Sequence, residues 1–88
     1  MTPQEARIFA AELRTDLPAL DLHGLFPDEA LAKIDIFLYA AAESDSAARL
    51  IYGGGSGKLR EVVIGYLQGH ALVATIHEEG GSCICLFV

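Results

Sequence analysis

The segment from Leu50 to Leu67, LIYGGGSGKLREVVIGYL, constrains the fold more strongly than any other part of the chain. It opens with apolar residues, places four glycines in the five positions from Gly53 to Gly57, and then repeats apolar residues with helical spacing. This order predicts a strand that ends at Tyr52, a turn in which glycine adopts positive φ, and a helix that begins near Lys58. We therefore expect an α/β domain.

Patterns elsewhere in the chain complete this domain. Strands are expected at Ala19–Leu25, Leu72–His77 and Cys83–Val88, and another helix is expected to begin at Pro27. The last strand is apolar on both faces, which favours a central position in the sheet. The order strand–helix–strand–helix–strand–strand predicts two layers, with both internal helices on one face if the crossovers are right-handed.

Residues 1–16 are predicted to form an N-terminal helical extension to a main domain over residues 17–88. Thr2 and Glu5 have the spacing of a capping box, and the helix should end before Pro18. The predicted apolar stripe of this helix consists of Ala6, Phe9, Ala10 and Leu13. The sequence leaves open whether the helix packs across the sheet or projects towards a partner.

The charge balance argues against a protein that grips nucleic acid through bulk electrostatics. Six Lys and Arg residues oppose twelve Asp and Glu residues, which gives a net charge of −6. Such affinity comes from cations that displace counterions, so a nucleic acid would be held at a small basic patch or by another chain or domain. With no apolar run near the ~18 residues of a membrane span and no secretory signal, we expect a cytoplasmic protein outside the membrane.

Two cysteines near the C-terminus, Cys83 and Cys85, would face the same side of a strand. A cytosolic chain rarely keeps a disulfide, so small buried hydrophobes are favoured over a redox or metal role. The alternative is a zinc site that includes His77, although no familiar zinc-ligand spacing supports it. We predict no metal ion and no cofactor.

The glycine-rich turn has the chemistry of an anion-binding site. The following helix points its first free N–H groups and the positive end of its dipole at the turn, and Lys58 and Arg60 add positive charge. Phosphate is the anion expected there. The alternative is that the glycines only make a tight turn between strand and helix.

Spacing excludes the two best-known nucleotide loops. A Walker A loop needs four residues before its Gly-Lys pair, but only three separate Gly53 from Gly57, and Leu59 replaces the hydroxyl residue that would hold Mg²⁺. The dinucleotide pattern GxGxxG started at Gly53 would need glycine where the chain has Lys58.

A second strand end supplies acid–base groups. Asp21 and His23 alternate onto one face and leave the sheet near Gly24, at the same carboxyl edge as Gly53. Ligands of open α/β sheets bind at that edge. A carboxylate and an imidazole beside a phosphate cradle are suited to general acid–base work on a phosphodiester.

Two motifs at these positions resemble those of the small MutS-related (Smr) domain family. Residues 20–24, LDLHG, resemble the family's LDxHG motif, and residues 52–60, YGGGSGKLR, are similar to its HGxGTGxLR motif. The order of the elements also agrees, and the likeness runs from about Leu20 to Val88. One position departs from the pattern, because Tyr52 stands where the family usually has histidine, and its unperturbed pKa of ~10 makes tyrosine a poor proton shuttle at neutral pH.

The resemblance implies a mixed four-stranded sheet with two helices, similar to the C-terminal domain of translation initiation factor three. It also implies RNA or DNA as partner, since Smr domains occur as nicking DNA endonucleases, as RNA endonucleases and in factors that act on collided ribosomes. Asp21 and His23 match the positions held to be catalytic. The predicted phosphate- or nucleic-acid-binding residues are Tyr52, Gly53, Gly54, Gly55, Ser56, Gly57, Lys58 and Arg60.

Three functions stay open at this point. In an endonuclease, His23 would activate the attacking oxygen, Asp21 would orient the imidazole, and no metal would be obligatory if the 2′-OH of RNA attacks. A module that binds nucleic acid or ribosomes without cutting is favoured by Tyr52 and by the net charge. A protein-interaction domain that uses the N-terminal helix is the third.

Overall fold

The computed structural model describes the whole chain, from Met1 to Val88, as three helices and four strands. In chain order these are α1 (Pro3–Glu12), β1 (Ala19–Asp21), α2 (Pro27–Ser44), β2 (Ala47–Ile51), α3 (Lys58–Gln68), β3 (Val73–Glu79) and β4 (Ser82–Phe87). The predicted α/β class and the order of its elements are confirmed. None of the three helices combines the length and the apolar character that crossing a bilayer requires.

The sheet is mixed, with the strand order β1-β2-β4-β3. β1 runs parallel to β2, whereas β4 pairs antiparallel with β2 on one side and β3 on the other. The central position of β4 is the one predicted from its apolar sequence, and every residue from Cys83 to Phe87 is buried. The parallel β1–β2 pair places the carboxyl ends of these two strands at one edge.

Helices α2 and α3 pack on one face of the sheet, as the right-handed crossovers predict. Their buried side chains form one core with the residues of β2 and β4 that face them. Cys83 and Cys85 belong to this core as free thiols, and burial raises their pKa values to about 12 and about 11. His77 pairs with Ile84, which faces the opposite side of the sheet, so the alternative zinc site with the two cysteines is excluded.

Helix α1 packs across that opposite face, with a different side from the one predicted. Its buried residues are Ile8 and Ala11, which contact Ala47, Ile84 and Leu86. The predicted stripe of Ala6, Phe9, Ala10 and Leu13 is exposed. The apolar surface on this face of the sheet is small, so the two small-to-medium side chains of Ile8 and Ala11 are enough to cover it.

Polar contacts fix the same helix to the body of the protein. The Arg7 guanidinium donates to the Phe87 carbonyl at 3.1 Å, and the Arg14 guanidinium donates to both carboxylate oxygens of Asp45 at 2.7 and 2.6 Å. The helix is therefore a covering element of the sheet, while the boundary between residues 1–16 and 17–88 stays a prediction.

Candidate functional site

The ends of the parallel strands β1 and β2 bring the two predicted motifs together. Beyond β1, the Leu22 N–H donates to the Ile51 carbonyl at 2.7 Å, which holds the two chain segments side by side as they leave the sheet. A Cβ atom added to Gly53 would lie 3.4 Å from the His23 Cβ. The glycine loop, residues 53–57, therefore packs against the histidine, and it is the positive φ of Gly53 that favours glycine at this position.

Asp21 and His23 form a hydrogen-bonded pair at this edge. The Asp21 Oδ1 atom lies 2.6 Å from His23 Nδ1 and also accepts from the His23 backbone N–H at 3.1 Å. Because a carboxylate only accepts, Nδ1 donates to Asp21, and in the neutral imidazole this leaves the lone pair on Nε2. Both side chains are open to solvent, with 53% of Asp21 and 70% of His23 exposed. The hydrogen bond from the imidazole, followed by that from the backbone N–H, lowers the pKa of Asp21, which keeps the carboxylate ionised.

The glycine loop has a backbone that other residues would strain. Gly53, Gly55 and Gly57 have φ values of 77°, 67° and 84°, in the left-handed region that glycine adopts at no steric cost. Gly57 is the N-cap of α3, and the Lys58 N–H donates to Ser56 Oγ at 3.3 Å. The free N–H groups of the first turn of α3 therefore open towards the loop.

The turn between β3 and β4 holds the start of the glycine loop by hydrogen bonds. The Gly81 carbonyl accepts from the N–H groups of both Tyr52 and Gly53, at 3.0 and 2.8 Å. A Cβ atom at Gly81 would lie only 3.1 Å from the Gly53 backbone, so the lack of a side chain at position 81 permits this close approach. Sequence patterns alone did not identify Gly81 as a residue of the site. The Gly80–Gly81 doublet was the signal that could have pointed to its contact.

Only one of the two predicted cations is free. Lys58 is exposed and makes no ion pair. The Arg60 guanidinium instead donates two hydrogen bonds to the Glu78 carboxylate, at 2.6 and 2.8 Å. The Arg60 side chain lowers the pKa of Glu78, so this acid is ionised and neutralises the arginine.

Tyr52 is a buried, hydrogen-bonded residue that supports the glycine loop. Only 3% of the residue is exposed, and its hydroxyl lies 3.1 Å from Glu78 Oε1 and 3.0 Å from the Ser82 carbonyl oxygen. Burial, more than any other cause, raises the pKa of Tyr52 to about 12. No face of the ring is open to a base, so the tyrosine predicted to bind nucleic acid does not contact it by stacking.

The residues that could together ligate a metal ion lie on the other face of the sheet. They are Glu12, His77 and Glu79, whose ligand atoms are all within 4.8 Å of one another. His77 Nε2 is 3.4 Å from Glu12 Oε1 and 3.6 Å from Glu79 Oε1, distances that already suit an ion pair. An arginine, Arg49, also lies 3.8 Å from Glu79.

Comparison with known proteins finds matches to both the sequence and the fold. The family model described as Smr domain matches residues 20–83. The Smr domain of Thermus thermophilus MutS2 superposes with a TM-score of 0.77 at 28% identity, over 82% of this chain and 99% of that one. The B3BP Smr domain superposes with a TM-score of 0.70 at 26% identity, over 94% of this chain and 88% of that one.

Sequence relatives carry the same segment within much longer proteins. Endonuclease MutS2 of Pelotomaculum thermopropionicum is 37% identical over 81 residues, which cover 86% of this chain and 10% of that protein. The chain thus spans about a tenth of the length of this curated relative.

Proposed function

This chain belongs to the Smr domain family, and we propose that it is an endonuclease that cuts the phosphodiester backbone of a nucleic acid. The observation that carries the proposal is the pair of Asp21 and His23, joined at 2.6 Å beside the glycine loop. The name of the relatives, Endonuclease MutS2, points in the same direction. Because the chain matches only a small part of those proteins, their activity comes to it as part of this proposal.

In the proposed reaction His23 acts as the general base. Asp21 holds the Nδ1 proton, so Nε2 can accept a proton from the attacking oxygen, and the ionised carboxylate then stabilises the imidazolium that forms. With RNA the attacking oxygen is the substrate's own 2′-OH. Its bond to phosphorus forms, the bond from phosphorus to the 5′-oxygen breaks, and the leaving oxygen takes a proton from solvent. With DNA the oxygen of a water molecule attacks phosphorus instead, one of the two P–O ester bonds breaks, and the leaving oxygen takes a proton from solvent.

The glycine loop and Lys58 hold the phosphate in this proposal. Anions bind at the N-terminus of a helix because free N–H groups and the positive end of the dipole meet there. The positive φ values of Gly53, Gly55 and Gly57 shape the loop before a ligand arrives, so little ordering is needed on binding. Lys58 adds the one unpaired cation beside it.

A second candidate is a module that binds nucleic acid without cutting it, and the position of Tyr52 favours it. With a pKa raised to about 12 and its hydroxyl turned to Glu78 and Ser82, this phenol keeps its proton and delivers none to a leaving oxygen. If the family's histidine at this position is an obligatory acid, this chain holds its ligand intact.

A cleavage assay separates the two candidates. Labelled single-stranded RNA and circular DNA are incubated with the wild type, His23→Ala and the surface control His77→Ala, each with and without EDTA. Loss of a general base should slow cleavage by about 100-fold or more, while the control should cut like the wild type. Cleavage that is equal in the wild type and His23→Ala, or absent from both, would refute the endonuclease proposal.

Binding measured on the wild type, His23→Ala and Lys58→Glu tests the second candidate. RNA, DNA and purified ribosomes serve as ligands at low salt. Binding that survives His23→Ala but is lost in Lys58→Glu, in the absence of cleavage, would support the binding module. A wild type that binds none of the three ligands would exclude both candidates.

A further inference from the structure

An exposed aromatic side chain, that of Phe26, follows the Asp21–His23 pair closely in the chain. Phe26 is the third residue after His23, is 73% exposed, and is the N-cap of α2. Three Cα spacings of 3.8 Å put the two Cα atoms at most about 11 Å apart. The Leu25 N–H donates to the Leu22 carbonyl at 3.1 Å, so the chain makes a tight turn through His23 and Gly24 just before Phe26.

Helix capping does not account for this phenylalanine. At an N-cap, Ser, Thr, Asp and Asn are preferred because their side-chain oxygens accept from a free N–H group. Thr2 does this for α1, accepting from the Glu5 N–H at 3.1 Å while the Glu5 side chain binds the Thr2 N–H. At α2 only the reciprocal half exists, in which the Phe26 N–H donates to Glu29 Oε1 at 3.0 Å. Phenylalanine at this position therefore neither caps the helix nor buries much apolar surface.

The surroundings of the ring are unsuited to a phosphate. Asp28 and Glu29 occupy the first turn of α2, so the N-terminus of this helix already carries negative charge. A nucleic acid that places a phosphate at the glycine loop would therefore have an exposed apolar ring within about 11 Å of His23, at the start of α2. The part of a nucleotide that suits such a ring is the base.

We propose that Phe26 is a base-stacking platform, and that the ligand of this site is a single-stranded nucleic acid. The base of a nucleotide that flanks the phosphate at the glycine loop leaves its own stack and lies on the ring. The inference rests on the proposed function, because it assumes that a phosphodiester occupies the loop. Stacking of a base on an aromatic side chain is tolerant of sequence and changes affinity by about 5- to 150-fold per base.

The absence of tryptophan from the sequence makes a direct test available. In Phe26→Trp the introduced indole is the only one in the protein, and stacking on a base should quench its fluorescence. Oligouridylate, oligothymidylate and a duplex are titrated in turn. Phe9→Trp is the matched control, since Phe9 is 57% exposed on α1, which packs on the opposite face of the sheet. Quenching by both single strands in Phe26→Trp alone is expected. Equal quenching in both variants, or none in either, would overturn the platform.

A substitution that improves the helix gives the second test. Phe26→Ser removes the ring and supplies the missing cap, so the thermal midpoint should rise by about 4 °C or more. Affinity for the single strands should fall by about 5- to 150-fold in spite of the more stable fold. An unchanged affinity would refute the inference while leaving the proposed function intact. A wild type that binds no nucleic acid would instead remove the proposed function, and this inference with it.

Discussion

Replacing Glu78 with glutamine is expected to strengthen nucleic-acid binding. The Glu78 carboxylate accepts two hydrogen bonds from Arg60, at 2.6 and 2.8 Å, and so withholds this cation from the glycine loop. Glutamine carries no charge and cannot accept both bonds, which frees the guanidinium for a phosphate. The fold should persist, because exposed ion pairs contribute little to stability and the Tyr52 hydroxyl keeps the Ser82 carbonyl as its acceptor.

The size of the effect follows from the number of phosphates contacted. On a single strand, each phosphate neutralised by a cation steepens the plot of log K against log salt by about 0.7, and on duplex DNA by about 0.9. One freed arginine should therefore make the slope for single-stranded RNA more negative by about 0.7. Fluorescence anisotropy of a labelled oligonucleotide, measured between about 50 and 200 mM salt, determines that slope.

Two controls separate a freed arginine from a change of net charge. Glu79→Gln removes the same charge, but Glu79 lies on the α1 face near Arg49 and His77 and should leave the slope unchanged. The double variant Glu78→Gln/Arg60→Gln should return to the wild-type slope. The reasoning is refuted if Glu78→Gln has the wild-type slope, or if Glu79→Gln steepens it equally.

Two further predictions concern side chains that stabilise the fold. Tyr52→Phe should lower the free energy of unfolding in urea by about 1–3 kcal/mol, because the Ser82 carbonyl loses its donor, yet leave cleavage intact; cleavage lost without a loss of stability would contradict a purely structural role. The Arg14 guanidinium lowers the pKa of Asp45 from 3.8 to about 2, so this pair's stabilisation is complete above about pH 4 and is lost as the pH falls towards 2. Asp45→Asn should therefore be less stable at neutral pH and show a flatter acid profile in urea unfolding, and an unchanged profile would contradict the assignment.

The fold could be predicted wherever a hydrophobic pattern is compatible with only one type of element or one position in the sheet. The alternating and helical repeats of the main domain fixed its elements, and the doubly apolar sequence of β4 fixed its central place. The buried side of α1 could not be predicted in this way. That short helix has apolar residues on both sides, so hydrophobic spacing favoured the side with Phe9 and Leu13. The small surface around Ile84 and Leu86 instead accepts Ile8 and Ala11.

The candidate site was predictable to the level of strand ends. Parallel pairing of β1 and β2 forces the residues after Asp21 and Ile51 to share an edge, whatever their side chains. The partner of Arg60 could not be predicted, because Glu78 is 18 residues away on β3 and meets Arg60 only through the packing of α3 against that strand. The burial of Tyr52 depends on the register of β3 with β4.

The shortage of free cations at this site bears on which nucleic acid it selects. Recognition of a duplex depends largely on phosphate contacts, and here a net charge of −6 and one unpaired lysine at the loop provide few of them. The loop N–H groups and the Phe26 ring act at short range and lose little in a negative field. Both suit a strand whose bases are free to leave the stack, and such a strand can also bring its attacking oxygen to His23 Nε2. If the proposed function holds, the pairing of Arg60 with Glu78 contributes to the selection of unpaired nucleic acid as much as the groups that contact the ligand do, because it removes a cation that a duplex would need.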